Sequence, residues 1–146
     1  MPDPAFSPFP EIRTQRLLLR CIEITDAPQI LFMRGDESVM QYIDRERTKT
    51  LEEAKEWIQK VKDSLDTNEG INWAIALKDD PGTLIGTIGF WRLIKQHYRA
   101  EVGYMLHPAH WNKGITKEAL QAVIHYGFTA MDLHSIEAQI NSANIA

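Results

Sequence analysis

The residues best suited to chemistry in this chain lie between His107 and Glu118, in the run HPAHWNKGITKE. An apolar stretch ends at Leu106, Pro108 stops it, a turn containing Gly114 follows, and a helical pattern begins near Thr116. The first N–H groups of a helix have no intrahelical acceptor and carry partial positive charge. A glycine beside them lets an anion approach the backbone, and Lys113 and Lys117 add two mobile cations. The chemistry favoured here is the grip of a diphosphate. The GxxxxGK spacing of a P-loop is absent, and for the bare pattern an ordinary structural helix start is the alternative.

Other reactive residue types are placed less tellingly. His107 and His110 flank Pro108 without a cysteine or carboxylate set, and no metal is expected. Cys21 lies in an apolar run and is expected to be buried and inert. His134-Ser135 lacks an orienting acid in a recognisable motif, so no hydrolase triad is supported. Trp57, Trp73 and Trp91 read as core aromatics, whereas Trp111 adjoins the phosphate turn.

The elements that must hold this turn follow from local pattern. Residues 1–12 contain Pro2, Pro4, Pro8 and Pro10 and read as an extended arm outside the core. Residues 16–22 (RLLLRCI) read as a first strand. Thr25 is the expected cap of a helix over 26–34 ended by Gly35, and 37–43 reads as a short helical piece. From Thr50, Leu51, Ala54, Trp57, Ile58, Val61 and Leu65 recur at steps of three and four, the stripe of an amphipathic helix. Its other face is charged and includes an expected Glu56–Lys60 pair. Residues 72–78 and 83–91 flank Asp79-Asp80-Pro81-Gly82 as a hairpin, and 100–106 is a third strand in which Gly103 is expected to mark a bulge or a close approach. Residues 116–128 form a helix and 136–140 a last strand. The order predicts an α/β (α+β) fold with a mostly antiparallel mixed sheet flanked by helices.

Composition excludes several classes. A chain of 146 residues with 44% hydrophobic and 25% charged residues fits one ordinary globular domain. A net charge of −4 argues against bulk electrostatic nucleic-acid binding. One cysteine precludes an internal disulfide; a reducing, intracellular setting is expected. Neither a signal peptide nor a span-length apolar run is evident, so no membrane partner is expected and the location is taken as cytoplasmic.

Several stretches in order and spacing carry a more specific message: TQRLLLR (14–20), TLEEAKEWI (50–58), LIGTIGFW (84–91), RAEVGYMLHPAHWNKGITKEAL (99–120) and IEAQINSANIA (136–146). Together they resemble the GNAT superfamily of N-acetyltransferases, and within it the RimJ/RimL-like branch. The resemblance implies the GNAT acyl-CoA N-acyltransferase fold and acetyl-CoA as acetyl donor. It further implies a pantetheine arm paired with the backbone of Tyr104, Met105 and Leu106. The pyrophosphate would rest on Asn112, Lys113, Gly114, Ile115, Thr116 and Lys117, with Asn144 facing the coenzyme. Two positions depart from the family pattern: Asn112 stands where the branch often has glycine, and Thr116 where a small residue is usual. Relatives continue through a further helix and two strands, so 13–146 is expected to be one N-acetyltransferase domain, truncated at its C-terminus. An open strand edge would favour pairing with a second copy as a homodimer.

The catalysis follows from the chemistry of the reaction that this resemblance implies. A primary amine is mostly protonated at neutral pH and needs a base before it attacks a thioester. Glu101 is the candidate base and Tyr104 the candidate proton donor to the departing thiolate. Their structural alternatives are a strand carboxylate paired with Arg99 or Arg92, and a packed aromatic. The acceptor is expected to be an amine-bearing small molecule or a protein N-terminus. A catalytically silent acyl-CoA-binding or interaction module is the alternative.

Overall fold

A computed structural model describes residues 9–35, 49–67, 69–94, 99–131, 133 and 135–138. The expected helical piece at 37–43, His134 and Asn144 lie outside them, as does the Trp91 side chain.

The described elements are β1 (Ile12–Arg13), β2 (Leu17–Cys21), α1 (Ala27–Gly35), α2 (Leu51–Asp66), β3 (Ile71–Leu77), β4 (Gly86–Ile94), β5 (Arg99–Leu106), α3 (Ile115–Thr129) and β6 (Ser135–Ala138). The six strands form one sheet in chain order, β1 to β6. Neighbours are antiparallel except β5 and β6, which run parallel across the α3 crossover.

Helices cover both faces of the sheet, and strand alternation divides the core accordingly. Leu17, Leu19, Trp73, Ile75, Ile88, Phe90, Val102 and Leu106 meet Ile115, Ala119 and Val123 of α3. On the opposite face Ile22, Ala74 and Met105 meet Ile30 and Met33 of α1 and Ala54, Trp57, Ile58 and Val61 of α2. The stripe anticipated on α2 is therefore its buried face. Thr50 caps it, its hydroxyl accepting from the Glu53 N–H at 3.1 Å. Among the described residues its charged face pairs Glu52 with Lys55 at 3.7 Å and Lys62 with Glu23 at 3.2 Å, not Glu56 with Lys60. That exchange matters little, since exposed pairs contribute about 0–1 kcal/mol.

Three local expectations are corrected. Thr25 does not cap α1; it lies inside a single 3-10 turn, Ile24–Asp26, that leads into it. Asp26 closes that turn by accepting from the Glu23 N–H at 2.8 Å, and it is buried against Arg20 at 2.8 Å. A buried carboxylate with a guanidinium partner fixes the chain more firmly than an exposed threonine could. Gly103 marks no bulge. The β5 register runs evenly through it, opposite Gly89, and the irregularity lies on β4 between Phe90 and Arg92. Cys21 is only partly buried, and desolvation pushes its thiol up to about 11, so it stays protonated at neutral pH.

The arm is anchored where it is described. Phe9 meets the edge of Trp73 at 6.2 Å, the Trp73 indole donates to the Pro10 carbonyl at 2.8 Å, and Ile12 pairs with Leu19.

Candidate functional site

The turn singled out in the sequence leaves the end of β5 and enters α3. Leu106 is followed by one 3-10 turn, Pro108–His110, capped by His107, whose Nδ1 accepts from the Ala109 N–H at 3.0 Å. The His107 ring stacks on Phe32 with centroids 4.6 Å apart, so this histidine is held as a structural cap. Burial, with smaller contributions from Lys113 and His107, pushes His110 below its ordinary value. Trp111 folds back and donates its indole N–H to the Leu106 carbonyl at 2.8 Å, packing against both halves of the core. Its role is to pin the turn to the strand.

Next come two left-handed residues, Asn112 at φ 62° and Gly114 at φ 74°. The left-handed region costs a residue with a Cβ about 1–2 kcal/mol, and asparagine tolerates it best after glycine. This explains how an asparagine can stand at position 112. Asn112→Ala should lose about 1 kcal/mol of unfolding free energy, while Asn112→Gly should lose nothing. Urea melts of the two variants check this, and equal midpoints for Ala and Asn would remove the argument.

Gly114 is the N-cap of α3 and brings no side chain to cap it. The first intrahelical bond runs from the Glu118 N–H to the Gly114 carbonyl at 3.1 Å, which leaves the N–H groups of Ile115, Thr116 and Lys117 without intrahelical acceptors. Asn112, Lys113, Gly114 and Lys117 are exposed; the Ile115 and Thr116 side chains are buried and hold the helix start to the sheet. Thr116 thus points away from the mouth, so its β-branch does not crowd it.

The edge of β5 supplies the second half of the site. On that edge β6 pairs with Arg99 to Val102 and, among the described residues, no strand pairs beyond it. The His107 N–H donates to the Ile85 carbonyl at 2.7 Å, so His107, Met105 and Gly103 turn their main chain toward β4. Tyr104 and Leu106 turn theirs toward the open edge. Of the three residues expected to grip a pantetheine, Met105 is therefore committed to the β4 ladder, and one lone pair of the Leu106 carbonyl is taken by Trp111.

The two candidate catalytic side chains fall on opposite faces. Tyr104 alternates with Val102 and Leu106 on the α3 side. Glu101 shares the α1–α2 side with Gly103 and Met105, at register positions opposite Arg92 on β4 and Glu137 on β6. Among the described residues the buried Tyr104 hydroxyl has no hydrogen-bond partner, and burial pushes its pKa up, keeping the phenol protonated at neutral pH. A buried orphan hydroxyl is uncommon and costly, which suits a group that acquires its partner from a ligand.

Sequence reasoning missed a cluster at the back of the turn. Glu118, in the first turn of α3, accepts from the Thr14 hydroxyl, from the Arg16 N–H at 2.9 Å and from Arg16 Nε at 2.7 Å. Arg16 Nη1 also donates to the Lys113 carbonyl at 2.8 Å. Burial pushes the Glu118 carboxyl up, but the bonds from Thr14 and Arg16 and the Arg16 charge outweigh it and hold it below its ordinary value. Arg16 and Glu118 stand 102 positions apart, beyond any local pattern; their signal was that both lie within the stretches 14–20 and 99–120.

Comparison with known proteins gives a consistent picture. Residues 16–146 match the family described as acetyltransferase (GNAT) domain. The chain is 38% identical over 138 residues to the uncharacterized N-acetyltransferase YoaA of Bacillus subtilis (strain 168), covering 94% of this chain and 77% of that one. It is 33% identical over 88 residues to the ribosomal-protein-serine acetyltransferase of Escherichia coli (strain K12), covering 52% of this chain and 48% of that one. Among solved structures, a GNAT-family acetyltransferase from Bacillus anthracis superposes with a TM-score of 0.75 at 32% identity, over 88% of this chain and 72% of that one. Among the described residues no helix is long and apolar enough to cross a membrane.

Proposed function

The chain belongs to the acetyltransferase (GNAT) family and is an N-acetyltransferase, and from that premise we propose that it carries acetyl from acetyl-CoA to a primary amine. The observation that carries this reading is the left-handed Gly114 ahead of uncapped amides, adjoining a strand edge that turns polar groups outward. Those amides hold the diphosphate, and Lys113 and Lys117 screen its charge. The main chain of Tyr104 and Leu106 pairs with the pantetheine amides, which brings the thioester alongside the middle of β5.

In the reaction the acceptor ammonium loses a proton to Glu101, directly or through water. The free amine attacks the thioester carbonyl, the C–N bond forms, and a tetrahedral oxyanion arises that backbone N–H groups stabilise. Collapse breaks the C–S bond, the thiolate takes a proton from the Tyr104 hydroxyl, and the proton shed by the new amide nitrogen returns through water to the phenolate. The opposed faces of Glu101 and Tyr104 suit this division of labour, with the acceptor arriving from the α1–α2 side and the sulfur departing on the other. A protein N-terminal amine is the favoured acceptor, because the ribosomal-protein-serine acetyltransferase is among the similar proteins.

The test is thiol release from acetyl-CoA with amine and N-terminal peptide acceptors. Glu101→Gln should lower turnover by roughly 10²-fold while leaving the Kd for CoA unchanged. Turnover that is undiminished at saturating acceptor removes Glu101 as base. Uptake of CoA without thiol release across the panel would replace catalysis by binding alone.

A further inference from the structure

The Arg16 guanidinium is used on two of its three nitrogens. Nε is held by Glu118 and Nη1 by the Lys113 carbonyl, while among the described residues no partner takes Nη2. That third nitrogen lies 3.5 Å from the point a Cβ on Gly114 would occupy. The space left open by the glycine is the route by which an anion reaches the mouth of α3, so an oxygen entering it comes within hydrogen-bonding range of Nη2. We propose that Arg16 is a diphosphate-binding residue brought to the turn from the bend that precedes β2, with Glu118 as its positioning residue. The inference rests on the coenzyme reading of the site given above.

Charge supports the assignment. A carboxylate in the first turn favours the helix dipole, yet it opposes a bound diphosphate as a like charge. Pairing with the guanidinium that it orients offsets the Glu118 charge, so the helix keeps its acidic first turn and the anion meets the Nη2 donor of Arg16 rather than a bare carboxylate. By fixing the Lys113 carbonyl, Arg16 also fixes the plane of the peptide carrying the Gly114 N–H. Lysine could supply charge here but not three directed donors. The side chain is 43% exposed, so solvent and ligand can reach it.

The experiment uses the full chain, with CoA in calorimetry and S-acetylpantetheine, which lacks the diphosphate, in thiol release. Arg16→Gln should weaken CoA about tenfold or more and flatten the salt dependence of its Kd, with S-acetylpantetheine turnover unchanged. Arg16→Lys, which keeps the charge, should recover part of the affinity. Unchanged CoA affinity in Arg16→Gln, or equal loss with both donors, overturns the proposal. Should Arg16→Gln fail to fold, Arg16→Lys decides: CoA weakened with S-acetylpantetheine turnover intact supports the assignment, and any other pattern refutes it. Failure of the unsubstituted chain to bind CoA would instead strike the coenzyme site itself.

Discussion

Gly114→Trp abolishes the calorimetric signal of CoA binding while the protein remains folded. Two effects act together. An indole at Gly114 fills the space above the free amides of α3 and crowds Arg16 Nη2, so a diphosphate can reach neither. The left-handed φ of 74° adds about 1–2 kcal/mol of backbone strain for any residue with a Cβ. Strain of that size lowers the melting midpoint by only about 2–8 °C in a protein of this length. Gly114→Ala separates the contributions, because it carries the strain without the bulk and should keep measurable binding. If Gly114→Trp binds CoA as well as the unsubstituted chain, the coenzyme sits elsewhere.

The largest loss of stability is expected from Trp73→Ala, about 3–5 kcal/mol on the scale of buried aromatic truncations. Trp73 is fully buried at the centre of β3. It meets the edges of Phe9, Phe90 and Tyr126 and donates its indole N–H to the Pro10 carbonyl. One side chain thus ties the arm, the sheet and α3 together. Such a loss is a large share of a typical total stability of about 5–15 kcal/mol. Trp73→Phe keeps much of the apolar contact and removes only the donor, so its loss should be far smaller. Urea unfolding followed by far-ultraviolet dichroism measures both; a cost under about 1 kcal/mol for Trp73→Ala would contradict the packing described.

The legible parts of this chain were those governed by local rules. The α2 stripe and its Thr50 cap, the hairpin turn at residues 79–82 and the break at Pro108 each depend on side chains within a few positions of one another. The mouth of α3 was legible for the same reason, through Gly114 and its two lysines. Boundaries shifted where distant pairing decided them. Strand β4 begins at Gly86 rather than at residue 83, because the Ile85 N–H is drawn to the Ile75 carbonyl and the loop closes before it. Of the two expectations for Gly103 the bulge falls on β4 instead, because glycine marks only where a backbone can yield, not which strand of a pair carries the extra residue. The Arg16–Glu118 and Arg20–Asp26 clamps stayed invisible to pattern: a charge on a strand looks alike whether water or a carboxylate from another element meets it.

Strand order in space equals strand order along the chain, and this bears on how the molecule assembles. Short connections join β1 to β2, and β3 through β4 to β5, so these two antiparallel ribbons can each zip up locally. β3 must wait for α1 and α2 before it docks beside β2, and β6 must wait for α3 before it docks alongside β5. Contacts that close long loops form late. Amides shared across the β2–β3 and β5–β6 seams should therefore be among the last in the sheet to gain protection from hydrogen exchange.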